Sequence, residues 1–230
     1  ALLAVQRLRN SATGQIERPG MSKAVIFDLD GTLIDSASDI RAAANSTLAA
    51  LGLAPLSLVE ITSFIGNGFP HLVRRVMAAR GIPTQKEDII QARMFEHYMA
   101  HPATFSRPYP GVLECLHTLH SRGYRLGLCT NKPYAPAIEI LEALKLSPIF
   151  DVVIGGDTLD VKKPHPAPLL AAIRELETEA LLFIGDSEVD AATAEAAKVP
   201  FALFTEGYRK TAVHELRHSV RFERFGELAD

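Results

Sequence analysis

The chain has 230 residues, 47 % hydrophobic and 22 % charged, an ordinary globular composition that excludes a disordered or fibrous protein. Its net charge of −3 is too mild for wholesale attraction to nucleic acid or an anionic membrane, so neither is expected as a partner. No apolar run approaches membrane-spanning length. The two cysteines, Cys115 and Cys129, come without a short-spaced Cys/His cluster, which argues against a disulfide framework or zinc and fits a reduced, cytoplasmic setting.

In chain order, residues 1–20 read as an upstream extension. The apolar run Ala1 to Val5 is too short for a signal-peptide core, and Pro19-Gly20 breaks the chain just before Met21. A strand then runs through Val25-Ile26-Phe27 and ends in Asp28-Leu29-Asp30-Gly31-Thr32. Residues two apart on an extended segment face the same way, so Asp28 and Asp30 are expected at one site. Adjacent carboxylates repel unless a cation or proton lies between them, which points to a hard metal such as Mg²⁺.

From there to Pro108 the pattern is helical. Ser38 is expected to cap a helix through about Leu51, and Ser57 to open another through about Ile65. Gly66-Asn67-Gly68 punctuates the chain. Two amphipathic helices are expected over 70–80 and 86–98, with no strand signal between Ile34 and Pro108. The expected division is therefore an α/β core of residues 21–35 and 109–230, with an all-helical cap of residues 36–108 inserted after the first strand.

From Pro110 helices and short apolar strands alternate: helices at 112–122, 135–145, 167–177 and 190–197, strands at 125–130, 152–155, 180–185 and 201–204. Val220 to Phe222 reads as a last strand. This alternation implies a doubly wound parallel sheet, Rossmann-like, covered on both faces. Ligands of such sheets sit beyond the carboxyl ends of the strands. Polar residues concentrate there: Asp28/Asp30, Thr130-Asn131-Lys132, Lys162-Lys163-Pro164 and Asp186-Ser187-Glu188-Val189-Asp190. Any one of them reads equally well as a turn or helix cap, and Lys132 before Pro133 reads as a solvated loop charge. Four in register along one edge do not.

These four signatures, in this order, resemble those of the haloacid dehalogenase superfamily of phosphohydrolases, and among them most closely the phosphoglycolate phosphatases. The Phe64-Ile65-Gly66-Asn67-Gly68 run and the run from Gly156 through Pro168 are similar to theirs. The resemblance implies Asp28 as nucleophile, Asp30 as general acid and base, and Thr130 and Lys163 on the phosphoryl oxygens. It implies Mg²⁺ on Asp28, the Asp30 carbonyl and Asp186, with Asp190 in support. Thr32, Asn131, Gly66 and Gly68 are expected near the substrate, and Arg41, His71, Arg74 and Arg75 are candidates to meet a substrate carboxylate. The implied activity is hydrolysis of a small anionic phosphomonoester, foremost 2-phosphoglycolate, by a monomer or homodimer. A pyrophosphatase or broad-specificity phosphatase stays open. So does a catalytically silent phosphate-binding protein, although no catalytic group is missing. Lys198 stands where relatives have glycine after a helix, which puts that helix end in question.

Overall fold

The computed structural model describes residues 23–229; the extension expected over residues 1–20 and Met21 lie outside them. Six parallel strands form one sheet in the order β5-β4-β1-β6-β7-β8. They are β1 (Lys23–Phe27), β4 (Arg125–Cys129), β5 (Val152–Ile154), β6 (Glu179–Gly185), β7 (Phe201–Phe204) and β8 (Val220–Phe222). The strand order reverses at β1, which pairs with β4 on one side and β6 on the other.

Alternation along β1 shows how both faces are covered. Val25 and Phe27 pack with α5 (Val112–Ser121) and α6 (Tyr134–Ala143), whereas Ala24 and Ile26 pack with α7 (Ala167–Glu175) and α8 (Glu188–Ala197). That is the period of two of a strand buried on both sides. Cys115 and Cys129 are free and buried in this core. A short helix α9 (Gly226–Ala229), absent from the sequence reading, brings Leu228 onto the first face, beside Phe225 from the turn before it.

The segment after β1 holds α1 (Ala37–Ala49), α2 (Leu58–Thr62), α3 (Phe69–Ala79) and α4 (Glu87–Ala100). These helices share a hydrophobic cluster of their own, centred on Leu48, Ile61, Val73, Val76, Ile90 and Met94. Ser57 caps α2 with a complete capping box to Glu60. Two details depart from expectation. The first helix is capped at Ser36, not Ser38. The two chain crossings also form an antiparallel ribbon, β2 (Ile34–Asp35) with β3 (Arg107–Pro108), too short to show as periodicity. Asp39 ties the crossings further, accepting hydrogen bonds from the Phe105 and Ser106 N–H groups and from Ser106 Oγ.

Candidate active site

Beyond β1 the chain turns sharply. Thr32, Leu33 and Ile34 N–H all donate to the Leu29 carbonyl, and Gly31 takes φ +86°. A Cβ on Gly31 would lie 2.6 Å from Asp186 Oδ2, so both the backbone angle and the close approach need glycine there. Asp28 N–H donates to Ile184 O at 2.8 Å, extending the β1–β6 ladder by one residue and placing the Asp28 carboxylate between β4 and β6.

Lys163 reaches this carboxylate from the loop after β5. Its Nζ lies 2.6 Å from Asp190 Oδ1 and 2.8 Å from Asp28 Oδ1. The second contact is an ion pair that falls short of full hydrogen-bond geometry, and buried Asp28 Oδ1 has no other partner. Asp190 is fixed from the other side, where its Oδ2 accepts Ser187 N–H and Oγ–H. Burial pushes the Asp28 carboxyl up to about 7, with Lys163 opposing and Asp190 adding to the rise. Asp186 is raised well above the usual range by burial, then by Asp190 and Asp28. Burial works against the Lys163 charge, but Asp190 and Asp28 outweigh it and hold the ammonium above the normal lysine range.

Asp28, Asp186 and Asp190 offer carboxylate oxygens within 4.8 Å of one another, all three residues being buried. Against three carboxylates stands the single Lys163 ammonium. This excess of buried negative charge, with one Asp28 oxygen lacking any partner but Lys163, fits a hard divalent cation held through oxygen ligands.

Most of the residues expected from sequence converge here. Asp28, Asp30, Thr130, Asn131, Gly66 and Gly68 all line one cavity of about 60 Å³ between the sheet edge and the helical insert. Asn131 Nδ2 bridges the Lys163 and Gly66 carbonyls at 2.9 and 3.0 Å, joining the core loop to the insert. Thr32 does not line the cavity. It is fully buried, and its Oγ1 donates to Asp186 Oδ1 at 2.9 Å, so its place is beneath Asp186. Of the arginine candidates, Arg74 pairs with Glu87 and Arg75 stacks on Phe64. None of Arg41, His71, Arg74 and Arg75 lines the cavity.

Lys132 corrects the sequence reading. It is 8 % exposed, not solvated, and its Nζ lies 3.1 and 3.2 Å from the two Asp30 oxygens. Its position two residues past Thr130, at a strand end, was the available signal. Ser36 Oγ also donates to Asp30 Oδ1, which frees the α1 cap position for another partner. That partner is Tyr208, a residue the sequence did not single out. Its phenol accepts the Ser36 and Ala37 N–H groups and donates to Asp35, while its own N–H donates to Asp186 Oδ2.

With this geometry in place, similarity to known proteins becomes informative. The family model for haloacid dehalogenase-like hydrolases matches residues 25–204. The phosphoglycolate phosphatase of Cereibacter sphaeroides (strain ATCC 17025) is 52 % identical over 208 residues, covering 90 % of this chain and 95 % of that one. The phosphoglycolate phosphatase of Rhodospirillum rubrum is 45 % identical over 219 residues, covering 91 % and 90 %. A crystal structure described as a predicted phosphoglycolate phosphatase from Haemophilus somnus 129PT superposes with a TM-score of 0.84 at 29 % identity, covering 92 % of this chain and 98 % of that one. The protein belongs to the haloacid dehalogenase-like hydrolase family.

Proposed function

We propose that this protein is a magnesium-dependent phosphatase that hydrolyses 2-phosphoglycolate to glycolate and phosphate through an aspartyl-phosphate on Asp28. The observation that carries the reading is the Asp28 carboxylate lining the cavity, with its Oδ1 2.8 Å from the Lys163 ammonium and without another partner. The named activity of relatives up to 52 % identical supports the substrate.

The placement of the residues supports the following roles. The Asp28 carboxylate attacks phosphorus and the ester P–O bond breaks. Asp30, on the same cavity wall, gives its proton to the departing glycolate oxygen. Asp30 then takes a proton from water as that water attacks the phosphoryl group, and the Asp28–phosphorus bond breaks to release phosphate. Thr130 and Lys163 hold the phosphoryl oxygens, and Asp190 holds Lys163. A phosphate dianion about 4 Å from the Asp28 charge meets roughly 8 kcal/mol of repulsion at an effective dielectric near 20. Lys163 offsets part of this. Mg²⁺, held by Asp28, Asp186 and the Asp30 carbonyl, would supply the remaining positive charge on the phosphoryl oxygens. The helical insert acts as a cap that excludes water from the cavity.

The test is kcat/KM with Mg²⁺ on phosphoglycolate, pyrophosphate, a sugar phosphate and a nucleoside monophosphate, alongside Asp28→Asn. A preference for phosphoglycolate of about a hundredfold and a dead Asp28→Asn variant are expected. Near-native turnover by Asp28→Asn would end the mechanism, and a flat substrate profile would remove the named substrate.

A further inference from the structure

The wall that the insert gives the cavity is apolar: Ile40, Ala43, Leu72, Met94 and Phe95 line it. A substrate with a second anionic group must find its counter-charge elsewhere. Of the described residues lining the cavity, Lys132 alone carries a positive charge. Its side chain is 5 % exposed, and its ammonium lies 4.5 Å from the centre of the Tyr98 ring. Tyr98 comes from α4 of the insert and also lines the cavity. It is 5 % exposed, and its buried phenol oxygen interacts with the Lys132 ammonium without reaching full hydrogen-bond geometry. A buried O–H whose own proton meets no acceptor calls for an explanation, because leaving it unmet costs about 1–3 kcal/mol.

We propose that Lys132 and Tyr98 together form the receptor for the carboxylate of the substrate. The inference rests on the phosphatase reading above and names the groups that select its substrate. Lys132 supplies the charge from the core, and Tyr98 supplies an O–H donor from the insert. In the substrate-free structure both Asp30 oxygens hold Lys132; when Lys132 turns to the substrate carboxylate, Asp30 is left free to carry the proton that its acid role needs. The receptor is split across the two parts of the chain, so it is complete only when the insert is packed on the core. The exposed arginines of the insert take no part.

The experiment compares phosphoglycolate with ethyl phosphate, which carries a methyl group in place of the carboxylate. The readout is the ratio of their kcat/KM values in the wild type, Lys132→Met, Lys132→Arg and Tyr98→Phe. The wild type is expected to favour phosphoglycolate strongly. Tyr98→Phe is expected to lower the ratio about tenfold and Lys132→Met about ten- to a hundredfold, as for hydrogen bonds to a charged group. Lys132→Arg is expected to restore part of the loss. A wild-type ratio near one overturns the receptor and leaves the phosphatase standing. A high wild-type ratio that Tyr98→Phe and Lys132→Met do not change also overturns it, reducing Lys132 to a counter-ion for Asp30. No hydrolysis of either ester by the wild type removes the phosphatase reading itself, and the receptor with it.

Discussion

Lys163 Nζ lies closer to Asp190 Oδ1, at 2.6 Å, than to Asp28 Oδ1, at 2.8 Å. The lysine is therefore anchored by a residue that does not line the cavity and offered to one that does. Asp190→Asn takes the charge from the anchor and leaves Lys163 to collapse onto Asp28. Breaking one side of a buried pair costs about 3–5 kcal/mol. The expected outcome is a clear loss of stability in urea denaturation and a fall in kcat of about a hundredfold or more, with Lys163 drawn away from the phosphoryl group.

The buried carboxylates give the metal-free protein an unusual pH response. Asp28 is raised from 3.8 to about 7, and Asp186 is raised as well. An acid with a raised folded-state pKa binds protons more tightly folded than unfolded between its two pKa values. Its contribution therefore favours folding at the acidic end and declines as pH rises towards about 7. In chelator, melting temperature is expected to fall between about pH 5.5 and pH 8. Added Mg²⁺ is expected to raise it more at the higher pH, because ligand carboxylates must be ionised to bind. Equal stabilisation at both pH values would contradict this.

Gly207 is pressed into the site. A Cβ there would stand 2.2 Å from Gly31 O and 2.3 Å from Asp186 Cβ. Neither neighbour is the flexible end of a side chain, so Gly207→Ala must displace the Asp186 backbone or the Gly31 turn. The expected outcome is weakened Mg²⁺ activation, read as a raised metal concentration for half-maximal rate, together with a loss of about 1–3 kcal/mol in stability.

Lys198 ends α8 at φ +57°, which confirms that the position calls for a left-handed residue. Side chains pay about 1–2 kcal/mol there, and glycine returns part of this through a more flexible unfolded chain. Lys198→Gly is expected to stabilise the protein by about 0.5–1 kcal/mol in denaturant titration, with kinetics unchanged.

What the sequence made legible was whatever depends on neighbours in the chain. The alternation of strand and helix, the helix start at Ser57, and the carboxylates Asp28 and Asp186 at strand ends all follow from local pattern. What it hid depends on distant chain segments meeting. Tyr208 satisfies the start of α1 from more than 170 residues away. Lys132 looks solvated beside Pro133 until Tyr98 and Asp30 close around it. Thr32 sits in the first signature yet serves Asp186 just past the end of another strand. Local propensity carries no record of such partners.

The β2–β3 ribbon and the Asp39 clamp hold the two crossings of the chain side by side. A piece of protein whose entrance and exit touch behaves as a cassette. Excising it leaves a gap that a short turn can close, at little entropic expense for the sheet. Grafting in a different helical unit would ask only that its own ends meet. One core could thus retain its chemistry while exchanging the wall that faces the substrate.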